Sequence, residues 1–415
     1  VGNRFGGDQR AGSSLRYVII RAAPSALDSL VKDTATRRSP RLLAVYRGLA
    51  LVVLNTALLL VVLNLLAGWW LARRPGPELE GGLAYGMETL TQVYPHRSPP
   101  EIERLLRETW SRRYVYEPFT QFKEGAIAGE FVNVAAAGFR RTGRELPWPP
   151  VADRPTVFVF GGSTAFGYGL ADDETIPARL GAALTASCGE EVAVYNFARS
   201  NYYSSQENIL FQRLLVQGVR PEMVVFIDGL NEFGHRADEP KFTERLAYLM
   251  TETPAQLGRR WLVDLPLARL TKRLLARSDL RQRASVEAGY AEQVVARWLA
   301  NRAQIRAVAQ ASGIETLFVW QPIPSYGYDL SHHLFAPEAD AERQASAVGF
   351  ALLAERRQAD ELAADLLWLA DMQRAKAEPL YVDQVHYTAS FSSEIAAAIA
   401  AAAGPRLCRP AANSS

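Results

Sequence analysis

The chain has 415 residues, 48% of them hydrophobic and 22% charged, and its 46 Lys and Arg against 44 Asp and Glu leave a net charge of +2. That length exceeds one ordinary domain and can bury a sizeable core. The near-neutral balance supplies no bulk basic field, and no zinc-knuckle or recognition-helix pattern appears, so nucleic acid is set aside as a partner.

Residues 1–47 carry Arg4, Arg10, Arg16, Arg21, Lys32, Arg37, Arg38, Arg41 and Arg47 against Asp8, Asp28 and Asp33, without a sustained apolar period, and read as a basic tail. Residues 48–72 are apolar apart from Asn55, Thr56 and Asn64. As a helix rising ~1.5 Å per residue this stretch would reach ~37 Å, enough to cross a bilayer core with some tilt. The alternative is a buried core helix, but soluble helices seldom stay apolar all round for so long. Trp69 and Trp70, followed by Arg73 and Arg74, fit an interfacial exit. The positive-inside bias predicts a cytoplasmic N-terminus, an uncleaved single-pass anchor in the inner membrane, and a periplasmic chain beyond Arg74.

Arg74-Pro75-Gly76-Pro77 reads as a linker, and 75–150 as an accessory stem. In it, Pro99-Pro100-Glu101 opens a short amphipathic helix, and residues 114–142 are strand-rich. From 151 to 415 the pattern is strand then helix, repeated. Apolar runs at 157–160, 192–197, 223–228 and 316–320 are separated by helical stretches such as 175–187, 205–216 and 286–311. The expectation is an α/β fold, a doubly wound, mostly parallel sheet of the flavodoxin-like kind with its site at the strands' carboxyl ends. Insertions at about 236–312 and 336–373 are expected to be helical and to form a cap or a partner surface.

The chemistry concentrates in four blocks. Gly161-Gly162-Ser163-Thr164-Ala165-Phe166-Gly167 sets a serine in a glycine turn directly after a strand, where small neighbours let backbone N–H groups approach the same point. A phosphate loop is the alternative, but no Gly-Lys-Ser/Thr ending follows and the glycine spacing is wrong. Asp383-Gln384-Val385-His386 places an acid three residues before one of only five histidines, which lets it orient an imidazole able to deprotonate Ser163. Asn196-Phe197-Ala198-Arg199-Ser200-Asn201 and Gly229-Leu230-Asn231-Glu232 are loops that can donate to an oxyanion.

In this order the four blocks resemble the SGNH (GDSL-type) hydrolase family over roughly residues 155 to 403. The resemblance implies Ser163 as nucleophile, His386 as base and Asp383 as its orienting acid. The Ser163 N–H, the Asn201 N–H and the Asn231 side chain would form the oxyanion hole. Two positions depart from the family pattern: Asn201 stands where a glycine is usual, and Glu232 follows Asn231 where an aspartate is common. No metal or organic cofactor is implied. The expected substrate is an O-acyl ester of a cell-envelope glycan or lipid. The rival readings are an O-acyltransferase using the same triad with a sugar acceptor, and a non-catalytic scaffold serving envelope-assembly proteins. His332-His333 is expected in a solvated loop, without the ligand spacing of a zinc site. Cys188 and Cys408, the only cysteines, follow the first and last helices of the sheet domain. In a sheet of order 2-1-3-4-5 those helices share a face, so a disulfide is expected, with two free thiols as the alternative.

Overall fold

The structure is a computed structural model that describes residues 40–73, 82–83, 85–235, 237–251, 253–276, 289–335, 341–359, 362 and 364–408. The basic tail up to residue 39, the linker after Arg73 and the end of the chain lie outside them. Two compact units result, Val1–Gly68 and Trp69–Ser415.

Within the first unit the apolar run forms most of a single helix, α1 (Pro40–Arg73). It is long and apolar enough to cross a membrane by length and composition, with a mean hydropathy of 2.6 in its most apolar window. Most of its leucines and valines point outward, Leu51, Leu54, Leu58 and Leu65 among them, as expected of a helix that is apolar nearly all round. At its end the Arg73 guanidinium lies 3.7 Å over the Trp69 ring.

The second unit opens with α2 (Met87–Val93) and α3 (Pro99–Trp110). Ser98 and Glu101 close a capping box on α3, and Ile102, Leu105 and Leu106 make its buried face. Two small antiparallel hairpins follow, β1 (Tyr114–Glu117) with β2 (Gln121–Glu124) and β3 (Ile127–Ala128) with β4 (Asn133–Val134). The strands β5 (Thr156–Gly161), β6 (Ala193–Asn196), β7 (Met223–Asp228), β8 (Glu315–Trp320) and β9 (Leu366–Trp368) form one parallel sheet of order β6-β5-β7-β8-β9. This is the doubly wound order 2-1-3-4-5.

Period-two alternation builds both faces of the sheet. On one, Val157, Val159, Val225 and Val319 pack with α3, with α5 (Ile176–Cys188) and with α12 (Ala389–Leu407). On the other, Phe158, Phe160, Phe226 and Trp320 pack with α6 (Ser204–Val216), α10 (Tyr290–Ala311) and α11 (Ala341–Gln358). Both faces being covered explains the uninterrupted apolar strands. The short α4 (Ser163–Phe166) follows β5, and α7 (Thr243–Thr251), α8 (Pro254–Val263) and α9 (Pro266–Ala276) occupy the long connection after β7.

In the 75–150 segment Leu90, Ile102, Leu105, Phe122 and Phe139 belong to the same two core clusters as the sheet, because their apolar faces have no core of their own to enter. Two expectations need correcting. Residues 290–311 are not an insertion but a crossover helix with Val294, Trp298 and Ile305 buried against the sheet. The stretch 336–373 is not wholly helical, since it holds the edge strand β9 paired to β8. Cys188 and Cys408 are bonded, tying the end of α5 to the end of α12.

Candidate active site

The site forms where β5 and β7 end. Gly161 has φ of 153°, and a Cβ there would lie 2.7 Å from Ala165 Cβ and 2.9 Å from the Ile227 carbonyl, so only glycine permits so sharp a turn against the neighbouring strand. Ser163 is the first residue of α4, and its N–H has no intrahelical acceptor.

His386 Nε2 lies 2.8 Å from Ser163 Oγ, and Nδ1 lies 2.7 Å from Asp383 Oδ2. Asp383 Oδ1 accepts the backbone N–H groups of Val385 and His386, both at 2.9 Å, which ties the loop around the carboxylate. Burial pushes the Asp383 carboxyl up, but the adjoining imidazole and these hydrogen bonds outweigh it and hold its pKa below the ordinary value. Ser163 is 9% exposed and His386 6%, sheltered from bulk water yet at the protein's edge.

Asn231 Nδ2 donates to the Tyr202 carbonyl at 2.8 Å and stands 2.3 Å from where a Cβ on Gly162 would be. An amide nitrogen carries two hydrogens, so one remains to face the serine turn. Asn201 has φ of 58°, the left-handed backbone in which Asn replaces Gly at least cost. Its loop is stitched to the turn: Arg199 N–H donates to the Gly161 carbonyl at 2.9 Å, and Asn196 Nδ2 donates to the Ala165 and Phe166 carbonyls, both at 3.3 Å. The five residues singled out from the sequence, Ser163, Asn201, Asn231, Asp383 and His386, thus belong to loops that meet at one turn. Glu232 has a positional task, accepting the Ser204 N–H at 2.7 Å and its hydroxyl at 2.9 Å at the start of α6.

Other groups of the site went unread in the sequence. Tyr168 stacks on His386, and Trp110 meets the same ring edge-on with centroids 5.7 Å apart. Gln321 Oε1 accepts Thr164 Oγ1 at 2.6 Å and Tyr387 OH at 3.0 Å. His235 stacks on Tyr203 and sets Nε2 3.0 Å from the Asn201 carbonyl and Nδ1 2.9 Å from that of Glu239. Buried Arg140 donates to the carbonyls of Phe166, Gly167 and Leu170 at 3.0, 2.7 and 2.7 Å and to Asp172 Oδ1 at 2.9 Å. Of these only Tyr168 carried a signal, lying between Gly167 and Gly169, whose φ values of 92° and 77° mark a tight turn.

The paired histidines differ from expectation. His332 is partly exposed, whereas His333 is buried, stacked on Tyr381 and accepting the Phe335 N–H at 3.2 Å through Nδ1; the flat apolar phenol ring draws one neighbour inward. Among the described residues no group of three His, Cys, Asp or Glu could hold a metal. A cavity of about 370 Å³ adjoins the site, lined by Asn201, Asn231, His235, Lys241 and Glu244 among others. Cavities of about 480 and 510 Å³ lie elsewhere, bordering Arg144 and Asp173 in one case and Arg245 and Asp264 in the other.

No family model and no curated protein matches this chain. Solved structures that resemble it include a lipolytic protein of the G-D-S-L family from Desulfitobacterium hafniense (10% identity, TM-score 0.33, covering 60% of this chain and 99% of that one). A lipase/acylhydrolase from Enterococcus faecalis matches at 17% identity and TM-score 0.35, over 62% of this chain and 100% of that one. A psychrotrophic esterase from Pseudoalteromonas sp. matches at 13% identity and TM-score 0.33, over 61% and 99%.

Proposed function

We propose that the chain is a membrane-anchored SGNH-type serine esterase that removes an O-acyl group from a cell-envelope glycan, with its catalytic unit in the periplasm. The observation that carries this reading is the continuous hydrogen-bonded line from Ser163 through His386 to Asp383, set against the Asn231 amide. His386 Nε2 takes the proton from Ser163 Oγ as the oxygen attacks the ester carbonyl, and Asp383 holds the Nδ1–H and stabilises the imidazolium. The Ser163 and Asn201 N–H groups and the Asn231 amide receive the negative charge on the carbonyl oxygen. The alcohol departs with the proton from Nε2, leaving an acyl-serine. Water, deprotonated by the same nitrogen, then attacks the acyl carbon; the bond from that carbon to Ser163 Oγ breaks, the proton passes from Nε2 back to Oγ, and the acid leaves. A glycan is favoured over a lipid because the adjoining cavity is walled by amide and ionisable groups, Asn201, Asn231, His235, Lys241 and Glu244, which suit hydroxyls rather than acyl chains.

The test is incubation of the full chain with a short-chain acyl ester, followed by intact-mass analysis and product assay. An acyl adduct on Ser163 that clears in buffer supports the esterase. An adduct that clears only when a sugar is added, giving an acylated sugar, would move the assignment to an acyltransferase. No adduct with any donor, in a chain whose fold is intact, would leave only the scaffold reading.

A further inference from the structure

The connection after β7 carries helices that contribute nothing to the core. Among the described residues from Thr243 to Ala276, none belongs to either core cluster. Instead Leu249, Met250, Trp261, Leu262 and Val263 are 62, 88, 69, 56 and 53% exposed. Monomeric soluble surfaces scatter such side chains singly, and exposed apolar residues at the ends of two successive helices, Leu249 and Met250 in α7 and Trp261, Leu262 and Val263 in α8, mark a surface that meets something. The charge of the segment says what. Between Thr243 and Ala276 the sequence holds Arg245, Arg259, Arg260, Arg269, Lys272 and Arg273 against Glu244, Glu252 and Asp264. Short helices with an exposed Trp, aliphatic neighbours and a cationic excess are the pattern of elements that lie in the headgroup region of an anionic bilayer. Single-pass anchoring, on which this inference rests, would hold such a surface at high effective concentration near lipid.

We propose that α7 to α9 form an interfacial platform that docks on anionic lipid, with Trp261, Leu262 and Val263 entering the headgroup boundary and Arg259, Arg269 and Lys272 engaging phosphate. A membrane partner accounts for both the apolar and the basic residues. An acidic protein surface is the competing occupant.

The experiment uses the full chain in nanodiscs. With Cys188 and Cys408 bonded, a cysteine placed by Trp261→Cys is the sole free thiol and can carry an environment-sensitive dye. The reference label is Val216→Cys, at a position 89% exposed at the end of α6. A third label, Leu58→Cys in α1, reports anchoring independently. The expected result is quenching of the 261 label by brominated lipid in discs containing phosphatidylglycerol, with the 216 label unaffected. Each of Arg259→Glu, Arg269→Glu and Lys272→Glu should shift the docked-to-free ratio about fivefold or more. A 261 label that stays water-exposed on anionic discs overturns the proposal. So does one shielded from a soluble quencher but untouched by brominated lipid, which would point to a protein partner. If the 58 label is not quenched, the anchoring reading fails by itself, and the 261 label with added phosphatidylglycerol vesicles still decides the platform.

Discussion

The phenol ring of Tyr168 lies face to face on the imidazole of His386, with ring centroids 5.1 Å apart and 18° between the planes. Four contacts therefore fix that imidazole: the Tyr168 stack, the edge-on Trp110 ring, Asp383 on one nitrogen and Ser163 on the other. Tyr168→Leu removes the stack while leaving the triad intact. An aromatic pair of this kind is worth ~1 kcal/mol beyond its buried area, so kcat should fall about three- to tenfold with KM little changed. Tyr168→Phe keeps the stack and should restore most of the rate. Steady-state kinetics on a soluble ester reads both.

Disrupting the triad itself should cost far more. Ser163→Ala or His386→Ala should lower turnover by about three orders of magnitude or more, and pairing the two should add little, because the residues act as a unit. Asp383→Asn should cost about as much through loss of the correct tautomer. A Ser163→Ala chain that hydrolyses at the parental rate would remove Ser163 from the reaction.

Gly162→Ala offers a probe of the oxyanion donors without touching a polar group. The added Cβ would stand 2.3 Å from Asn231 Nδ2 and 3.3 Å from the Tyr202 carbonyl, so the amide must move. Displacing one preorganised donor typically costs about 10² in kcat. Asn231→Ala should show a similar loss, and the double variant should be no worse than either single one, since the same interaction is removed twice.

Stability should depend on pH through buried acids on the far side of β7. Burial, and then the neighbouring Asp228, push the Glu207 carboxyl well above its ordinary value, while burial raises Asp228 itself to about 6. The folded chain thus keeps protons that the unfolded chain releases. Their contribution is fully present below the unfolded pKa and is lost as pH rises through the folded values, so thermal stability should decline from about pH 4 through 6 and beyond. Asp383 works in the opposite direction, its depressed pKa giving stability that is lost on strong acidification. Glu207→Gln replaces the shared proton with an amide donor and should flatten the decline. Melting temperatures across pH for the two chains provide the measurement, and parallel curves would exclude this pair as the cause.

Much of the sheet and the five candidate site residues could be read from the chain, for identifiable reasons. Buried parallel strands such as β5 and β7 are apolar at every position, and a serine between Gly162 and a helix start has few structural uses. His386 was legible because its acid at Asp383 falls after Asn231 and just before the closing helix; an acid three residues earlier alone would not single it out, since Asp329 precedes His332 and Glu232 precedes His235 at the same spacing. What stayed hidden depends on distance. Tyr168, Trp110 and Gln321 acquire their roles from ring and amide contacts across 58 residues or more, and no local pattern encodes those; the pair Trp110 and Tyr168, with ring centroids 4.9 Å apart, is a case. The strand β9 was missed because three residues paired on one side to β8 are too few to show a period. The stretch 286–311 was read as a helix between strands, but the insertion's bound of about 312 ran over it, because a crossover helix and an inserted helix look alike until one finds its buried face against the sheet.

The guanidinium of Arg140 gathers three carbonyls from the residues that follow Ser163, those of Phe166, Gly167 and Leu170, yet Arg140 precedes the first strand of the sheet. Choosing an expression boundary at the start of the strand-helix alternation, near Val151, would therefore strip the serine turn of its counter-charge and of the α3 face carrying Trp110. Silence of such a fragment in an esterase assay would then say nothing about Ser163. A shortened chain meant to test the proposed reaction therefore has to begin upstream of α2, so that Leu90, Ile102 and Arg140 keep their places around the serine turn.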